Sequence, residues 1–540
     1  MPCGAYQRSL STIPPEQMNE IRRRLDEATT NLIAVKKELK IQAAQNTTST
    51  SSLPTSSRRK RHKRPRRPVS APTTAQVQDL SAWIKRYKTA LAPIKFIPAE
   101  ILCLIFQFAI SNEPLEVSFS TLEGSTLIRC SQVCTFWRTT VLECPEFWND
   151  ITFVPCSTAH RIVQDTVDGY VPWLQKSKSL LLTLRLELIW FKPAELSLLW
   201  SPPVLKVLAE RLRVLHLHLP DSRLETYRRL PVSVPANAFD TVEELLLSVL
   251  SIRRYITHNE LVPAHISINF TFKALKRFQL RCNATLDLDA SSLPWIQLEK
   301  VHFQKLTDAV CIDMLRRMPN LEDCTLDSIW TDMSDRWRWN PGLEIRLESL
   351  KTLSVTFGED DWDFWPFFNK LFLPKLEDLE LGSVRTKDLY WDQPTFEAFI
   401  HRSRCRMRRL SLGEAAFGLS EIPIATILKL LPTLEEVSLP GFATLKEWED
   451  LGLGYIGPNL KKLDVSAPYW TWINNLLSML KLRQGTVAWI NPNSRTVSLI
   501  EEVNVTTSGH VTWDQMAEIE KLRQNGLKIR LTIGWYLGCE

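Results

Sequence analysis

Three places in the sequence bring together side chains that could bind a metal ion. Cys130 and Cys134 are four residues apart, His216 and His218 are two apart, and residues 359–363 include four carboxylates. A zinc site needs at least a third protein ligand, and neither pair has a partner pair at a suitable spacing. The acidic cluster lacks the glycine and the ordered ligand positions of a calcium loop. We therefore expect no metal ion and no cofactor.

The sequence also lacks the short motifs that position catalytic groups. It contains no GxSxG turn for a serine nucleophile, no GxxxxGK[ST] loop for phosphates and no HExxH pair for zinc. We therefore expect that the protein is not an enzyme and that it acts by binding other molecules.

A short basic run dominates the charge of the chain. It comprises eight of the 66 Lys and Arg residues, namely Arg58, Arg59, Lys60, Arg61, Lys63, Arg64, Arg66 and Arg67. Without them, 58 basic residues face 60 acidic ones, so the rest of the chain lacks the excess of basic residues that nucleic-acid binding needs. The run is a candidate nuclear import signal. A solvated flexible tract or a local contact with nucleic acid are the alternatives.

Cysteine usage and hydropathy indicate where the protein works. The 11 cysteines are scattered and odd in number, which is typical of a reducing compartment. No window has roughly 18 consecutive apolar residues, and the first residues do not resemble a secretory signal. We expect a protein of the cytoplasm or nucleus with no membrane segment.

Helical patterns precede and follow the basic run. Residues 14–45 and 76–92 carry apolar residues at three- and four-residue steps, which predicts two amphipathic helices. The first could form a coiled coil, or it could pair with the second. Residues 46–75 are rich in Asn, Thr, Ser and Pro, so we interpret them as a disordered basic linker.

Residues 93–150 contain two further short helical patterns. The first, in PIKFIPAEILCLIFQFAI, begins near Pro98 and Glu100, which suit a helix N-terminus. The second, in IRCSQVCTFWRTTVLECPEFW, follows a polar loop over roughly 111–126. Helices of ~10 residues are unstable alone. Their apolar faces also exceed what a unit of about 50 residues can bury. A partner molecule is therefore expected to cover part of them.

The motifs PIxxIPxEILxxIF and SQVCxxWRxxxLxxPxxW resemble an F-box domain, in the form common among mushroom-forming fungi. The resemblance implies a three-helix unit whose surface meets a Skp-family adaptor. The first helix would contribute Pro98, Glu100, Ile101, Leu102, Ile105 and Phe106. The second helix would support that surface with Val133, Cys134 and Trp137. The apolar members could equally belong to the core, and for Trp137 a core position is favoured.

A second pattern recurs from about residue 178 onward. It consists of an apolar residue, usually leucine, then two residues, an apolar residue, one residue and another apolar residue. Its ten copies begin at Leu212, Val242, Leu275, Leu298, Leu321, Leu350, Leu376, Met407, Leu434 and Leu460. The starts are 23 to 33 residues apart, near the period of leucine-rich repeats. The alternation predicts a short strand in each copy, and the intervening segments predict helices.

We interpret residues 178–484 as an irregular leucine-rich-repeat array and residues 485–540 as its cap, with closing strands that include Val497 and Leu499. Polar residues on the strands are candidate recognition positions, for example those of LEDLEL, MRRLSL and LEEVSL. Tryptophans near residue 365 could anchor a partner, although burial under folded-back insertions is favoured.

The expected fold class is α followed by α/β, with N-terminal helices and an F-box unit before an irregular repeat solenoid. The resemblance implies a substrate-recognition adaptor of a Skp–cullin–F-box ubiquitin ligase, which binds the Skp-family adaptor, a cullin scaffold and an unknown target. One alternative is an F-box and repeat scaffold without a ligase role. A weaker one, which depends on the basic run, is a chromatin-associated protein.

Overall fold

The computed structural model describes the chain in segments separated by gaps. The described residues are 15–48, 74–90, 97–110, 115–118, 126–154, 171–172, 174–187, 202–220, 237–250, 265–266, 271–281, 285–286, 292–329, 344–357, 365–383, 391–413, 422–439, 444–466, 470–489, 497–507 and 511–533. The chain divides into two compact units. Unit 1 is Met1–Asn112 with Thr126–Glu143, and unit 2 is Glu113–Ser125 with Cys144–Glu540.

Unit 1 is helical where it is described. Its helices are α1 (Pro15–Thr48), α2 (Thr74–Ala90), α3 (Ala99–Ile110), α4 (Thr126–Val133) and α5 (Thr135–Glu143). Helices α1 and α2 pack against each other, and Ile84 of α2 is buried. Pairing of the first helix with the second, one of the two alternatives, is therefore what the structure shows.

The predicted linker is shorter than the sequence pattern indicates. Residues 46–48 continue α1 and residues 74–75 belong to α2, so both ends of the predicted linker are helical. Polar residues tolerate exposed helix ends, which explains why composition alone misplaces these boundaries. Residues 49–73, with the whole basic run, lie outside the described residues.

In its described residues, unit 2 is built on one parallel sheet of 15 strands. The strands of the unit are β1 (Leu115–Ser118), β2 (Asp150–Val154), β3 (Leu182–Glu187), β4 (Leu212–Pro220), β5 (Glu244–Leu250), β6 (His265–Ile266), β7 (Arg277–Arg281), β8 (Thr285–Leu286), β9 (Lys300–Gln304), β10 (Asp323–Ile329), β11 (Ile345–Arg346), β12 (Thr352–Phe357), β13 (Leu371–Phe372), β14 (Asp378–Ser383), β15 (Arg409–Leu412), β16 (Glu436–Leu439), β17 (Lys462–Ser466), β18 (Glu502–Thr507) and β19 (Lys528–Ile533). The sheet follows chain order, while β6 pairs with β8 and β11 with β13.

Each of the ten predicted copies coincides with a strand of this sheet. The parallel register aligns equivalent apolar positions, so that Leu353 lies beside Leu379 and Leu379 beside Leu410. All three side chains are buried. Because alternate residues of a strand point to opposite faces, this register builds a continuous apolar core from short strands. The long parallel sheet is compatible with a solenoid-like arrangement.

Helices connect several of the strands of unit 2. They are α6 (Pro202–Leu208), α7 (Asp308–Arg316), α8 (Trp365–Phe368), α9 (Gln393–Ser403), α10 (Ile424–Leu430), α11 (Leu445–Gly452), α12 (Trp470–Trp489) and α13 (Trp513–Gln524). Between β7 and β9 the described residues form no α-helix, but a 3-10 turn at Trp295–Gln297. Strand β8 occupies part of that interval, and Pro294 has no N–H with which to extend a helix.

Two strands of unit 2 lie where the sequence predicts other structure. The loop expected over residues 111–126 contains β1, which pairs with β2 at the edge of the sheet. The closing strand expected at Val497 and Leu499 instead begins at Glu502. The amide of Ser498 donates to the carbonyl of Pro458, so this stretch crosses the preceding repeat before the strand starts.

The residue just before the first apolar residue of a copy often ties two repeats together. In six copies its side chain donates to a backbone carbonyl of the preceding repeat or, for the first copy, of the segment before β3. These residues are Arg211, Thr241, Gln297, Asn320, Thr433 and Asn459. The Nδ2 atom of Asn459, for example, lies 2.9 Å from the carbonyl oxygen of Pro432. These bonds satisfy carbonyls that the sheet leaves unpaired between strands.

Candidate partner-binding surface

Helix α3 begins as its sequence predicts. Pro98 lies just before the first helical residue, and its carbonyl accepts the amide of Leu102 at 3.0 Å. Glu100 lies in the first turn, where the helix dipole stabilises a negative charge. Both Pro98 and Glu100 are exposed.

One face of α3 belongs to the core of unit 1. Leu102 and Phe106 are fully buried. The ring of Phe106 meets the half-buried ring of Trp137 edge to face, with 4.8 Å between ring centroids. Edge-to-face contacts of this kind stabilise aromatic pairs beyond the area they bury. The interpretation of Leu102 and Phe106 as partner-binding residues is therefore not supported, because an intact helix leaves no part of them available to a partner.

The opposite face of α3 is apolar and faces solvent. Ile101, Leu104 and Ile105 are 46% to 59% exposed, and Phe108 is 85% exposed. Their spacing of three, four and seven residues places them in one stripe along the helix. We call these four residues the α3 stripe. The sequence interpretation missed Leu104 and Phe108, although ten apolar residues among twelve indicate a helix covered on both sides.

The second helical segment contains a break that the sequence did not predict. Helix α4 ends at Val133 and α5 begins at Thr135, with Cys134 between them. The sulfur of Cys134 accepts the amide of Trp137 at 3.5 Å, so this thiol caps α5. Val133 is 60% exposed. Of the three residues predicted in the second helical segment, Val133 is therefore accessible, while Cys134 and Trp137 help hold the helices together.

The two described pairs of possible metal ligands, Cys130 with Cys134 and His216 with His218, do not belong to a larger group of ligands. Among the described residues, no group of three or more His, Cys, Asp or Glu side chains could hold a metal ion. Burial raises the pKa of Cys130, which disfavours the thiolate that binds metals. Burial also lowers the pKa of His216 and His218. The acidic cluster at 359–363 lies outside the described residues.

Most polar residues proposed for recognition on the strands are used within the sheet. The residue that follows the first apolar residue of each copy forms ion pairs with its neighbours in adjacent repeats. Arg408, for example, lies 3.1 Å from Glu435, and Lys461 lies 3.0 Å from the same carboxylate. Each exposed pair stabilises by roughly 0–1 kcal/mol, but together they fix the side chains in place.

The tryptophan cluster near residue 365 is buried where it is described. Trp365 meets Trp391 edge to face at 5.0 Å and also contacts Phe368 and Phe396. Trp365 therefore stabilises the interior of unit 2 and is not a partner anchor. Trp362 lies outside the described residues.

Comparison with known proteins gives a family match, and it covers the short helices α3 to α5. Residues 94–154 match the family model described as F-box-like, which is 61 of the 540 residues. No curated protein matches the chain significantly. None of the helices in the described segments is long and apolar enough to cross a membrane. The F-box-like domain at residues 94–154 supports an F-box protein and suggests a role in substrate recognition by a Skp–cullin–F-box ubiquitin ligase.

Proposed function

We propose that this protein is a substrate-recognition adaptor of a Skp–cullin–F-box ubiquitin ligase, in the cytoplasm or nucleus. The observation that carries the proposal is the α3 stripe, which lies inside the F-box-like match. F-box domains typically bind Skp-family adaptors. The α3 stripe would be the part of the surface that meets the adaptor, with Val133 of α4 as a second contact.

Helix α3 leaves a large apolar surface exposed to water, which favours binding of a partner. The four large apolar side chains of the stripe form one contiguous exposed surface, whereas single exposed apolar residues are common on any protein. Contiguous exposed apolar surface marks an interaction site. An amphipathic helix that binds through such a stripe inserts it into an apolar groove of the partner. Burial of these side chains at about 25 cal/mol per Å² would supply a large part of the binding free energy.

Unit 2 would hold the target protein. We interpret its repeats as leucine-rich repeats, because ten copies at bounded spacing each carry a strand of one parallel sheet. Ubiquitin transfer would be catalysed by another subunit, and this chain would have no active site of its own. Its contribution would be to raise the effective concentration of the target near the transfer site.

Co-purification with a Skp-family adaptor, followed by addition of a cullin, tests the proposal. We expect a stable complex of the chain with the adaptor, and we expect a cullin to join it. If the adaptor binds but a cullin never joins, the protein is the non-ligase scaffold. If the folded chain does not bind the adaptor at all, the proposal is wrong.

A further inference from the structure

A basic groove lies in unit 2, beside the first residues of β12 and β14–β17. It has a volume of about 600 Å³, and two carboxylates line it, those of Glu377 and Glu435. Six cationic side chains also line it, and these are Lys351, Lys375, Arg404, Arg406, Arg408 and Lys461. The groove therefore carries a clear excess of positive charge, although the chain without its basic run is close to neutral.

Half of these cations already have partners within the sheet. Lys351 lies 2.8 Å from Glu322, while Arg408 and Lys461 share Glu435 at 3.1 and 3.0 Å. These three cations belong to the ion pairs that run across neighbouring repeats. Their charge is largely balanced before any ligand binds.

Among the described residues, the other three cations form no ion pair of this kind. Lys375, Arg404 and Arg406 are exposed, and no carboxylate of the described segments lies within 4.0 Å of their charged groups. All three line one groove, so their charges repel one another. An anion in the groove would relieve this repulsion and would supply the missing acceptors.

The repeat positions of Lys375 and Arg406 indicate that the stacking of the repeats does not depend on their side chains. Lys375 and Arg406 each precede the first apolar residue of a copy. At the same position, Thr433 and Asn459 donate to carbonyls of the preceding repeat. Lys375 and Arg406 make no such bond in the described structure. Their side chains are therefore available for a ligand.

We propose that this groove binds an acidic segment of the target protein, a proposal that rests on the proposed function of unit 2. The lining residues come from the starts of successive strands, which are about 4.8 Å apart, so the groove extends over roughly 20 Å. That length suits an extended peptide with several carboxylates or phosphates. Nucleic acid is disfavoured because the groove has no aromatic residue on which a base could stack.

Binding of a fluorescein-labelled octaglutamate peptide to the full chain tests this inference by fluorescence anisotropy. The triple variant Lys375→Ala, Arg404→Ala, Arg406→Ala should bind the peptide at least about tenfold more weakly. The matched control is Lys206→Ala, Lys446→Ala, Lys528→Ala. It removes the same charge from exposed lysines outside the groove and should retain the affinity within about twofold.

Besides failure of the wild-type chain to bind the peptide, three results would overturn the inference. The first is equal loss of binding in the triple variant and the control. The second is binding of octathymidylate through the same three cations, with the same affinity as the peptide. The third is displacement of the peptide by inorganic phosphate at millimolar concentration, which would indicate a small-anion site.

Co-purification with the Skp-family adaptor tests the proposed function independently of the groove. If the chain binds the adaptor but not the peptide, only the proposed peptide-binding groove is wrong. If it binds the peptide but not the adaptor, only the proposed adaptor-binding surface is wrong.

Discussion

Replacement of Arg483 by methionine should lower the free energy of unfolding of unit 2 by about 3 kcal/mol. Arg483 lies on α12 and is fully buried. Its guanidinium donates four hydrogen bonds of 2.8 to 2.9 Å to the carbonyls of Ser498, Leu451, Gly457 and Pro458. One side chain therefore joins α12 to three other parts of the chain, and methionine could fill the space but donate no hydrogen bond.

The charge of Arg483 strengthens these bonds. Burial lowers the pKa of the guanidinium to about 10, so it keeps its proton at neutral pH. Charge-assisted hydrogen bonds in a dry interior are stronger than neutral ones. Lysine at this position would keep the charge, but one ammonium group could not reach all four carbonyls. The Arg483→Lys variant should therefore also have a lower free energy of unfolding than the wild type.

Urea unfolding monitored by circular dichroism measures the effect. The matched control is Arg530→Met, since Arg530 is an exposed arginine on β19 of the same unit. We expect this control to retain the unfolding midpoint of the wild type. An Arg483→Met variant with the midpoint of the control would show that the four bonds do not stabilise unit 2.

The second large effect concerns adaptor binding. Ile105→Asp should weaken binding of a Skp-family adaptor by about a hundredfold or more, because it places a carboxylate in the centre of the α3 stripe. Ile105 is exposed in the free chain, so the substitution should leave the helices of unit 1 folded. Isothermal titration calorimetry with purified adaptor gives the dissociation constant.

Two further substitutions in α3 separate binding from folding. Gln107→Asp adds the same charge to an exposed position beside the stripe and should retain most of the affinity. Leu102→Asp buries a carboxylate and should unfold the three helices, which circular dichroism would detect. If Ile105→Asp and Gln107→Asp bind equally well, the adaptor does not use the α3 stripe.

Much of unit 2 could be predicted from the sequence because its signal is repeated. Ten copies of one apolar pattern predict strands that must stack in the same register, and the observed pairing of Leu353 with Leu379 follows from that. Arg483 could not be predicted in this way. Its partners are carbonyls up to 32 residues away, and a lone arginine in a helix is indistinguishable from a solvated one.

The partner-binding surface was harder to predict because α3 is apolar almost all round. Periodicity shows that such a helix is covered on both sides, but it does not show which side is covered by the chain itself. The contact of Phe106 with Trp137 decides this, and the two residues are 31 positions apart. The basic groove could not be predicted from the sequence for a similar reason. Lys375 and Arg406 come together only when their repeats stack.

Hydrogen exchange of the full chain, with and without a Skp-family adaptor, shows directly whether α3 binds the adaptor. We expect the adaptor to slow exchange in α3 and around Val133, because insertion of the α3 stripe into the adaptor stabilises these short helices. Exchange in the strands of unit 2 should not change. Protection confined to unit 2, or a bound adaptor that leaves α3 unprotected, would show that the α3 stripe is not the adaptor-binding surface.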